Sequence, residues 1–203
     1  MKRGFYLKLA WSGIRKNRRL YTPYLLTCVG MVMMFYVVSF LSECPVLEEM
    51  RGGMTLQSML SFGSWVIGAF ALIFLFYTNS FLIRRRKKEF GLYNILGMGK
   101  GNLARILLWE SLIVAGIALI AGLFFGVLLS KLAELGMVNL VNGDITFSLS
   151  LGPDAILRTL LLFAVIFLLL LLNALRQIHL TNPIELILSL IHISEPTRQE
   201  AIS

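Results

Sequence analysis

The residues that could do catalytic or metal chemistry are few and far apart in this 203-residue chain. Histidine occurs only at His179 and His192, and cysteine only at Cys28 and Cys44. A zinc site needs about four such ligands converging on one point, and a histidine base needs a partner within hydrogen-bond reach. We therefore predict no catalytic residue and no metal site. The two cysteines, if their segment is helical, lie about 24 Å apart, too far for a disulfide.

A short glycine-rich run is the one stretch that suggests binding of a nucleotide phosphate. A phosphate-binding loop needs the pattern G-x-x-x-x-G-K-S/T after a β-strand, because its backbone amides must surround the phosphates. The run Gly99-Lys100-Gly101-Asn102 lacks the Ser or Thr, the spacing and the strand. The sequence therefore predicts that this chain binds no nucleotide and no other cofactor.

The composition indicates a membrane protein. Hydrophobic residues make up 57% of the chain and charged residues 15%, which is too apolar for a soluble or a disordered chain. Four apolar runs each approach the length of about 20 residues that a helix needs to cross the hydrocarbon layer. We predict an all-α membrane protein with four transmembrane helices, at about residues 21–42, 59–83, 106–130 and 155–175.

The basic residues predict the orientation of these helices. Residues 1–20 carry seven Lys and Arg without an acid, and the loop 84–105 carries seven more with only Glu89. The loops 43–58 and 131–154 hold two basic residues and six acids. Since basic loops stay on the cytoplasmic side, we predict that both termini and the 84–105 loop are cytoplasmic. The net charge of +8 then reflects topology and contact with lipid, and not binding to nucleic acid.

The N-terminal segment has the pattern of an amphipathic helix. Its apolar residues follow the i, i+3, i+4, i+7 spacing of one helix face, namely Leu7, Ala10, Trp11 and Ile14. Two interpretations are open. The helix lies on the inner membrane surface with its cations at the lipid headgroups, or the segment is a simple basic anchor for the first span.

The loop between the second and third spans predicts a second surface helix. Residues 89–96 place apolar side chains at helical spacing, namely Phe90, Tyr93 and Leu96. Gly97 ends the pattern, and Asn102 is the expected N-cap of the next helix. This short cytoplasmic helix either receives mechanical work from a cytosolic partner or is an amphipathic turn that anchors the hairpin.

A few polar and small residues stand out within or beside the spans. Glu110 either marks an ion or proton path or pairs with Arg105 or the basic loop. Small residues let helices approach closely, and we expect this packing within the chain at Gly68, Gly122 and Gly126. On the opposite side of the membrane, Arg158 is expected to extend outward from its helix end, and the alternating residues 145–151 predict a strand or an interfacial segment.

Three stretches resemble the FtsX-like permeases of ABC transporters, over about residues 1–187. They are LAWSGIRKNRR before the first span, RRRKKEFGLYNILGMGKGNLARILLWE from residue 84, and LTNPIEL after the fourth span. The resemblance implies that the end of the second helix couples the permease to an ATPase, with Glu89, Gly91, Leu96 and Gly97 at the matching positions. The apolar residues Phe90 and Tyr93 of the same segment complete the candidate coupling residues. The acid Glu110 and the P-x-E of Pro183 and Glu185 also match the family's pattern.

The short first loop favours the bacitracin-export type within that family, because only residues 43–58 separate the first two spans. The resemblance implies a permease subunit of the bacterial cytoplasmic membrane that is not itself an enzyme. Two cytosolic ATPase subunits would hold the ATP and drive it, a peptide would be the substrate, and a sensor histidine kinase would be a further partner. The alternatives are an FtsX-like subunit that regulates an extracellular partner or sensor kinase without transport, and a free-standing structural protein of four helices.

The sequence divides into three predicted parts. Residues 1–20 are the cytoplasmic amphipathic segment, and residues 21–187 are the FtsX-like transmembrane domain. Members of the family are longer, with more spans and a large extracellular domain, so we expect this chain to be an N-terminal fragment. Residues 188–203 resemble a translated sequencing adapter and are predicted to be a non-native tail. A short soluble C-terminal tail is the alternative.

Overall fold

The computed structural model describes residues 3–44, 47, 52–95, 97–141 and 152–180. These residues contain five helices and no strand: α1 (Arg3–Lys16), α2 (Arg18–Ser42), α3 (Gly53–Ile95), α4 (Lys100–Val141) and α5 (Pro153–Leu180). Each of α2 to α5 contains a stretch that is long and apolar enough to cross a membrane. The predicted all-α architecture with four spans is therefore confirmed. The predicted strand at 145–151 and the predicted tail at 188–203 lie outside the described residues.

The two middle spanning helices are longer than predicted. α3 has 43 residues and α4 has 42, so each is about 63 Å long, twice the hydrocarbon thickness of about 30 Å. The basic run at 84–88 does not interrupt α3, because Arg and Lys are good helix formers. The prediction of a separate short helix at 89–96 is therefore wrong in this respect: residues 89–95 are the last turns of α3.

The turn between α3 and α4 also differs in one detail. Gly97 has a positive φ of 84°, a conformation that glycine adopts without strain, and it ends α3 as predicted. α4 then begins at Lys100, where the Gly99 carbonyl accepts hydrogen bonds from the amides of Asn102 and Leu103 at 3.0 and 3.3 Å. Asn102 is therefore inside the first turn of α4 and is not its N-cap.

α2 lies at the centre of the bundle. It packs against α3, α4 and α5, whereas α3 and α4 have few contacts with each other and lie on different sides of it. The main core is made of buried residues from all four spanning helices, among them Val32, Phe35, Leu75, Ala118 and Phe163. Many large apolar side chains point outward instead, as lipid-facing side chains do in a membrane protein.

Glycines bring α4 against α2. A β-carbon at Gly122 would lie 2.6 Å from the side chain of Val32, and one at Gly126 would lie 2.9 Å from Tyr36. Gly68 of α3 is close to α5, 3.3 Å from Leu162 by the same measure. Lipid tails are as apolar as leucine, so helices in a membrane associate through such close packing rather than through the hydrophobic effect.

At the far end of the bundle, where α2 ends and α5 begins, the described residues form two ion pairs. Arg158 lies 2.5 Å from Glu43, and Lys131 lies 2.7 Å from Glu134. The Arg158 side chain is 64% exposed, in keeping with a group at a helix end that extends toward an aqueous interface. The other end, where α3 ends and α4 begins, is called the basic end below.

α1 packs on the start of α4 at the basic end. Tyr6 and Ala10 are buried there against Ile106. The predicted apolar face of α1 is divided, because Ala10 is buried while Leu7 and Trp11 are largely exposed. A single residue, Asn17, separates α1 from α2.

Candidate functional site

A buried ion pair joins α3 to α4 at the basic end. The guanidinium of Arg86 donates hydrogen bonds to both carboxylate oxygens of Glu110, one of them at 3.1 Å. Both side chains are at most 4% exposed. A buried charge is tolerated when it is paired and hydrogen-bonded. Glu110 thus pairs with the basic run, one of the predicted partners, while Arg105 instead lies over the ring of Tyr6.

Tyr21 of α2 completes this cluster. Its hydroxyl donates a hydrogen bond to Glu110 Oε2 at 3.0 Å and accepts one from Arg86. The guanidinium also lies 5.4 Å from the centre of the Tyr21 ring and 5.1 Å from that of Phe90, within the range of cation–π attraction. Three spanning helices therefore meet around one guanidinium.

Glu89, one turn beyond Arg86, faces the chain's own helices. Both of its carboxylate oxygens accept hydrogen bonds from Asn17 Nδ2, at 2.8 and 3.0 Å, and Arg86 Nε lies 3.3 Å away. Asn17 is the residue between α1 and α2. The Glu89 side chain is 38% exposed, so it is fixed by these bonds while part of its surface stays accessible.

The other predicted coupling residues have different environments. Phe90 is buried in a small cluster with Ile83, Leu103, Leu107 and Ala174, and Gly91 is half-buried. Tyr93 lies in the last turns of α3, and Leu96 lies outside the described residues. Of the six predicted residues, the structure therefore brings Glu89 and Phe90 together around Arg86.

Leu92 is a surface residue that the sequence reading missed. Its side chain is 57% exposed. Phe90 comes two residues earlier in the chain and therefore lies on nearly the opposite side of the helix. The sequence feature that could have identified Leu92 is that it is apolar and yet lies outside the apolar stripe of positions 90, 93 and 96. Leu92 is thus an exposed apolar side chain near the end of α3.

Gly13 of α1 was also missed. A β-carbon on Gly13 would lie 2.6 Å from Glu110 Oε1 and 3.6 Å from Arg86 Nη2. The absence of a side chain lets α1 lie directly on the buried ion pair. No sequence signal separates Gly13 from the other glycines, because its neighbour Glu110 is far away in the chain.

A second polar cluster ties the same part of α3 to α5. Asn79 Nδ2 donates to the Leu170 carbonyl at 3.2 Å, and its Oδ1 accepts from Tyr24 at 3.4 Å. Ser80 Oγ accepts hydrogen bonds from the side-chain amides of Asn173 and Gln177, at 3.2 and 3.3 Å. Polar groups with few alternative partners in a membrane specify how helices pack. The cluster therefore fixes how α3 packs against α2 and α5. The residues that the structure describes contain no group of three metal-ligating side chains.

These features define a multi-pass membrane protein in which the long helix α3 extends past its apolar stretch at the basic end. Residues 61–183 match the family model described as the C-terminal part of FtsX-like permeases. This match covers more than half of the chain, and the chain belongs to the FtsX-like permease family.

Three curated relatives are ABC transporter permeases. The chain is 33% identical over 183 residues to the uncharacterized permease YvcS of Bacillus subtilis, covering 89% of this chain and 28% of the relative. It is 29% identical over 186 residues to the bacitracin export permease protein BceB of Halalkalibacterium halodurans, covering 92% and 28%. It is 27% identical over 162 residues to BceB of Bacillus subtilis, covering 80% and 25%.

The chain thus spans about a quarter of the length of these relatives. What they share with it is a stretch that contains four apolar helices, as in a multi-pass protein of the cytoplasmic membrane. Such permeases are the membrane components of their transporters and are not enzymes themselves.

Proposed function

We propose that this chain is the part of a permease through which two cytosolic ATPase subunits drive resistance to antimicrobial peptides of the bacitracin kind. The ATPases hold the ATP, the peptide is the substrate, and a sensor histidine kinase is a further partner. Two relatives named bacitracin export permeases support the substrate class. The predicted cytoplasmic orientation of the basic end supports the position of the ATPases.

The observation that carries this proposal is the end of α3. We call residues Glu89–Ile95 the coupling segment. The apolar stretch of α3 ends at Ile83, directly before the basic run 84–88, so the twelve residues from 84 to 95 extend about 18 Å further at 1.5 Å per residue. The start of the segment is fixed by the Glu89–Asn17 hydrogen bonds and by buried Phe90, while Leu92 presents an apolar surface. A partner that binds Leu92 can therefore push on a segment that is joined firmly to the bundle.

The first test is Glu89→Lys, measured as growth in bacitracin. A lysine at this position places a like charge next to Arg86 and removes the acceptor for Asn17. We expect resistance to fall to that of a strain without the permease, while expression and membrane insertion persist. Glu134→Lys is the matched control, because Glu134 also pairs with a basic residue three positions earlier, 2.7 Å away at the far end. Unchanged resistance in Glu89→Lys would contradict the proposal.

A second test separates docking from folding. Leu92→Asp removes an exposed apolar side chain, so the permease should insert normally and yet lose the ATPase on co-purification. Leu92→Met keeps an apolar surface of similar volume and should retain the ATPase. Equal recovery of the ATPase with both variants would exclude docking at this position.

A further inference from the structure

We infer that Arg86 is the positioning residue of this permease, through which displacement of the coupling segment is passed to α2 and α4. The inference rests on the proposed function. It concerns a residue that lies one turn before the segment and is buried among the chain's own helices.

The first argument is burial. Arg86 and Glu110 are the two charged residues that are buried among those that the structure describes. Breaking such a pair is strongly unfavourable, because it leaves an uncompensated charge away from water. Apolar side chains of similar volume often hold a protein together equally well. A buried pair in a membrane helix bundle is thus better explained by the fixed relative position that it imposes than by stability alone.

The second argument is the arrangement of the helices. α3 and α4 have few contacts with each other. At the basic end Arg86 binds Glu110, and Phe90 packs on Leu103 and Leu107. The same guanidinium binds Tyr21 of α2. A displacement of the coupling segment therefore cannot slide α3 past α2 and α4 without separating a buried charge from its partner.

The third argument is the continuity between the pair and the segment. Arg86 Nε lies 3.3 Å from Glu89, and Glu89 is held by Asn17. α1 in turn lies on Glu110 through Gly13. One connected set of side chains thus runs from the coupling segment through Arg86 to α1, α2 and α4.

The experiment measures movement at the far end of the bundle. Spin labels are placed on the full-length permease at Met54→Cys of α3, where the native side chain is 85% exposed, and at Gly136→Cys of α4, where a side chain meets no atom within 4 Å. Alanine replaces Cys28, Cys44 and any further cysteine of the full-length permease. The label-to-label distance is compared in membranes containing the permease–ATPase complex, with and without ATP.

Arg86→Lys keeps the charge but not the planar, multiple hydrogen bonding of a guanidinium, and Arg86→Gln removes the charge. We expect ATP to change the distance in the parent protein. In both variants we expect the ATPase still to co-purify, but ATP should no longer change the label-to-label distance in the folded molecules. Arg85→Gln is the matched control, because Arg85 is exposed and lies over the ring of Phe81; it should keep the change. If Arg86→Gln does not fold, Arg86→Lys alone decides.

Two results would overturn the inference: an absence of ATP-dependent change in the parent protein, or a full change in both folded Arg86 variants. The proposed function fails separately, when Leu92→Asp keeps its ATPase and Glu89→Lys keeps its resistance. A third outcome is that Leu92→Asp loses the ATPase and Glu89→Lys loses resistance while the Arg86 variants keep the full distance change. This outcome would reject the role of Arg86 but still support the role of the coupling segment.

Discussion

The carboxylate of Glu110 lies directly beneath Gly13, so that a β-carbon on the glycine would be 2.6 Å from Oε1. Glu110 belongs to α4 and Gly13 to α1. This contact explains why α1 can lie flat on the one buried ion pair among the described residues. It also makes the position of α1 sensitive to the position of the pair.

Replacing that glycine should therefore destabilise the fold. In Gly13→Ala the new methyl group overlaps a carboxylate that cannot move, because Arg86 and Tyr21 hold it. We expect a loss of about 1–3 kcal/mol, as for other overpacked sites, measured by unfolding in mixed detergent micelles. Gly30→Ala is the control, since a β-carbon there meets no atom within 4 Å. Equal stability of the two variants would contradict the contact.

Tyr21 and Tyr24, two of the three buried tyrosines of α2, should differ in their contributions. The Tyr21 hydroxyl bonds to Glu110 at 3.0 Å and also accepts a bond from Arg86, whereas the Tyr24 hydroxyl bonds to neutral Asn79 at 3.4 Å. Hydrogen bonds to charged groups are the stronger ones. Tyr21→Phe should therefore lower the free energy of unfolding by about 1–3 kcal/mol, and Tyr24→Phe by less. The reverse order would show that the ion pair does not depend on Tyr21.

Glycines along α4 provide a third test in a single helix. Gly122→Ala places a methyl group 2.6 Å from Val32 and 3.2 Å from the Val29 carbonyl, so α4 must move away from α2. We expect a destabilisation of about 1–3 kcal/mol. Gly116→Ala meets nothing within 4 Å and should be neutral. Thermal unfolding of both purified variants measures the difference, and a neutral Gly122→Ala would refute close packing there.

The predicted orientation can be tested with a thiol reagent that does not cross membranes. In a cysteine-free background, with alanine at Cys28 and Cys44, Gly136→Cys at the far end should react in intact cells. Gly99→Cys at the basic end should react only after the cells are opened. Both positions are exposed. Labelling in the opposite pattern would mean that the basic end faces outward and would remove the ATPase docking site from the cytosol.

The spans could be predicted because membrane insertion depends on local composition. Four apolar runs are visible in the sequence, and the structure has a long helix over each of them. The length of α3 was underestimated because a basic run reads as a loop, while lysine and arginine continue a helix readily. The end of α3 at Gly97 was predictable because a positive φ favours glycine.

The candidate site was predicted only in outline. The pattern around Glu89 predicts the segment, and in the structure Glu89 and Phe90 contact the chain's own helices while Leu92 is an exposed apolar side chain. The sequence left the partner of Glu110 open between Arg105 and the basic loop. That choice depends on the packing of α3 against α4, which local patterns do not contain.

The sequence by itself determined that the chain is a membrane protein of four apolar helices, with basic residues at one end and a glycine-terminated helix end there. These properties follow from the hydropathy and the backbone preferences of neighbouring residues. Only the tertiary structure decided that Asn17 binds Glu89 across 72 positions, that Arg86 binds Glu110 and Tyr21, and that Gly13 lies over the pair. Such contacts depend on how the helices pack together, since side chains distant in sequence meet only when whole helix faces fit.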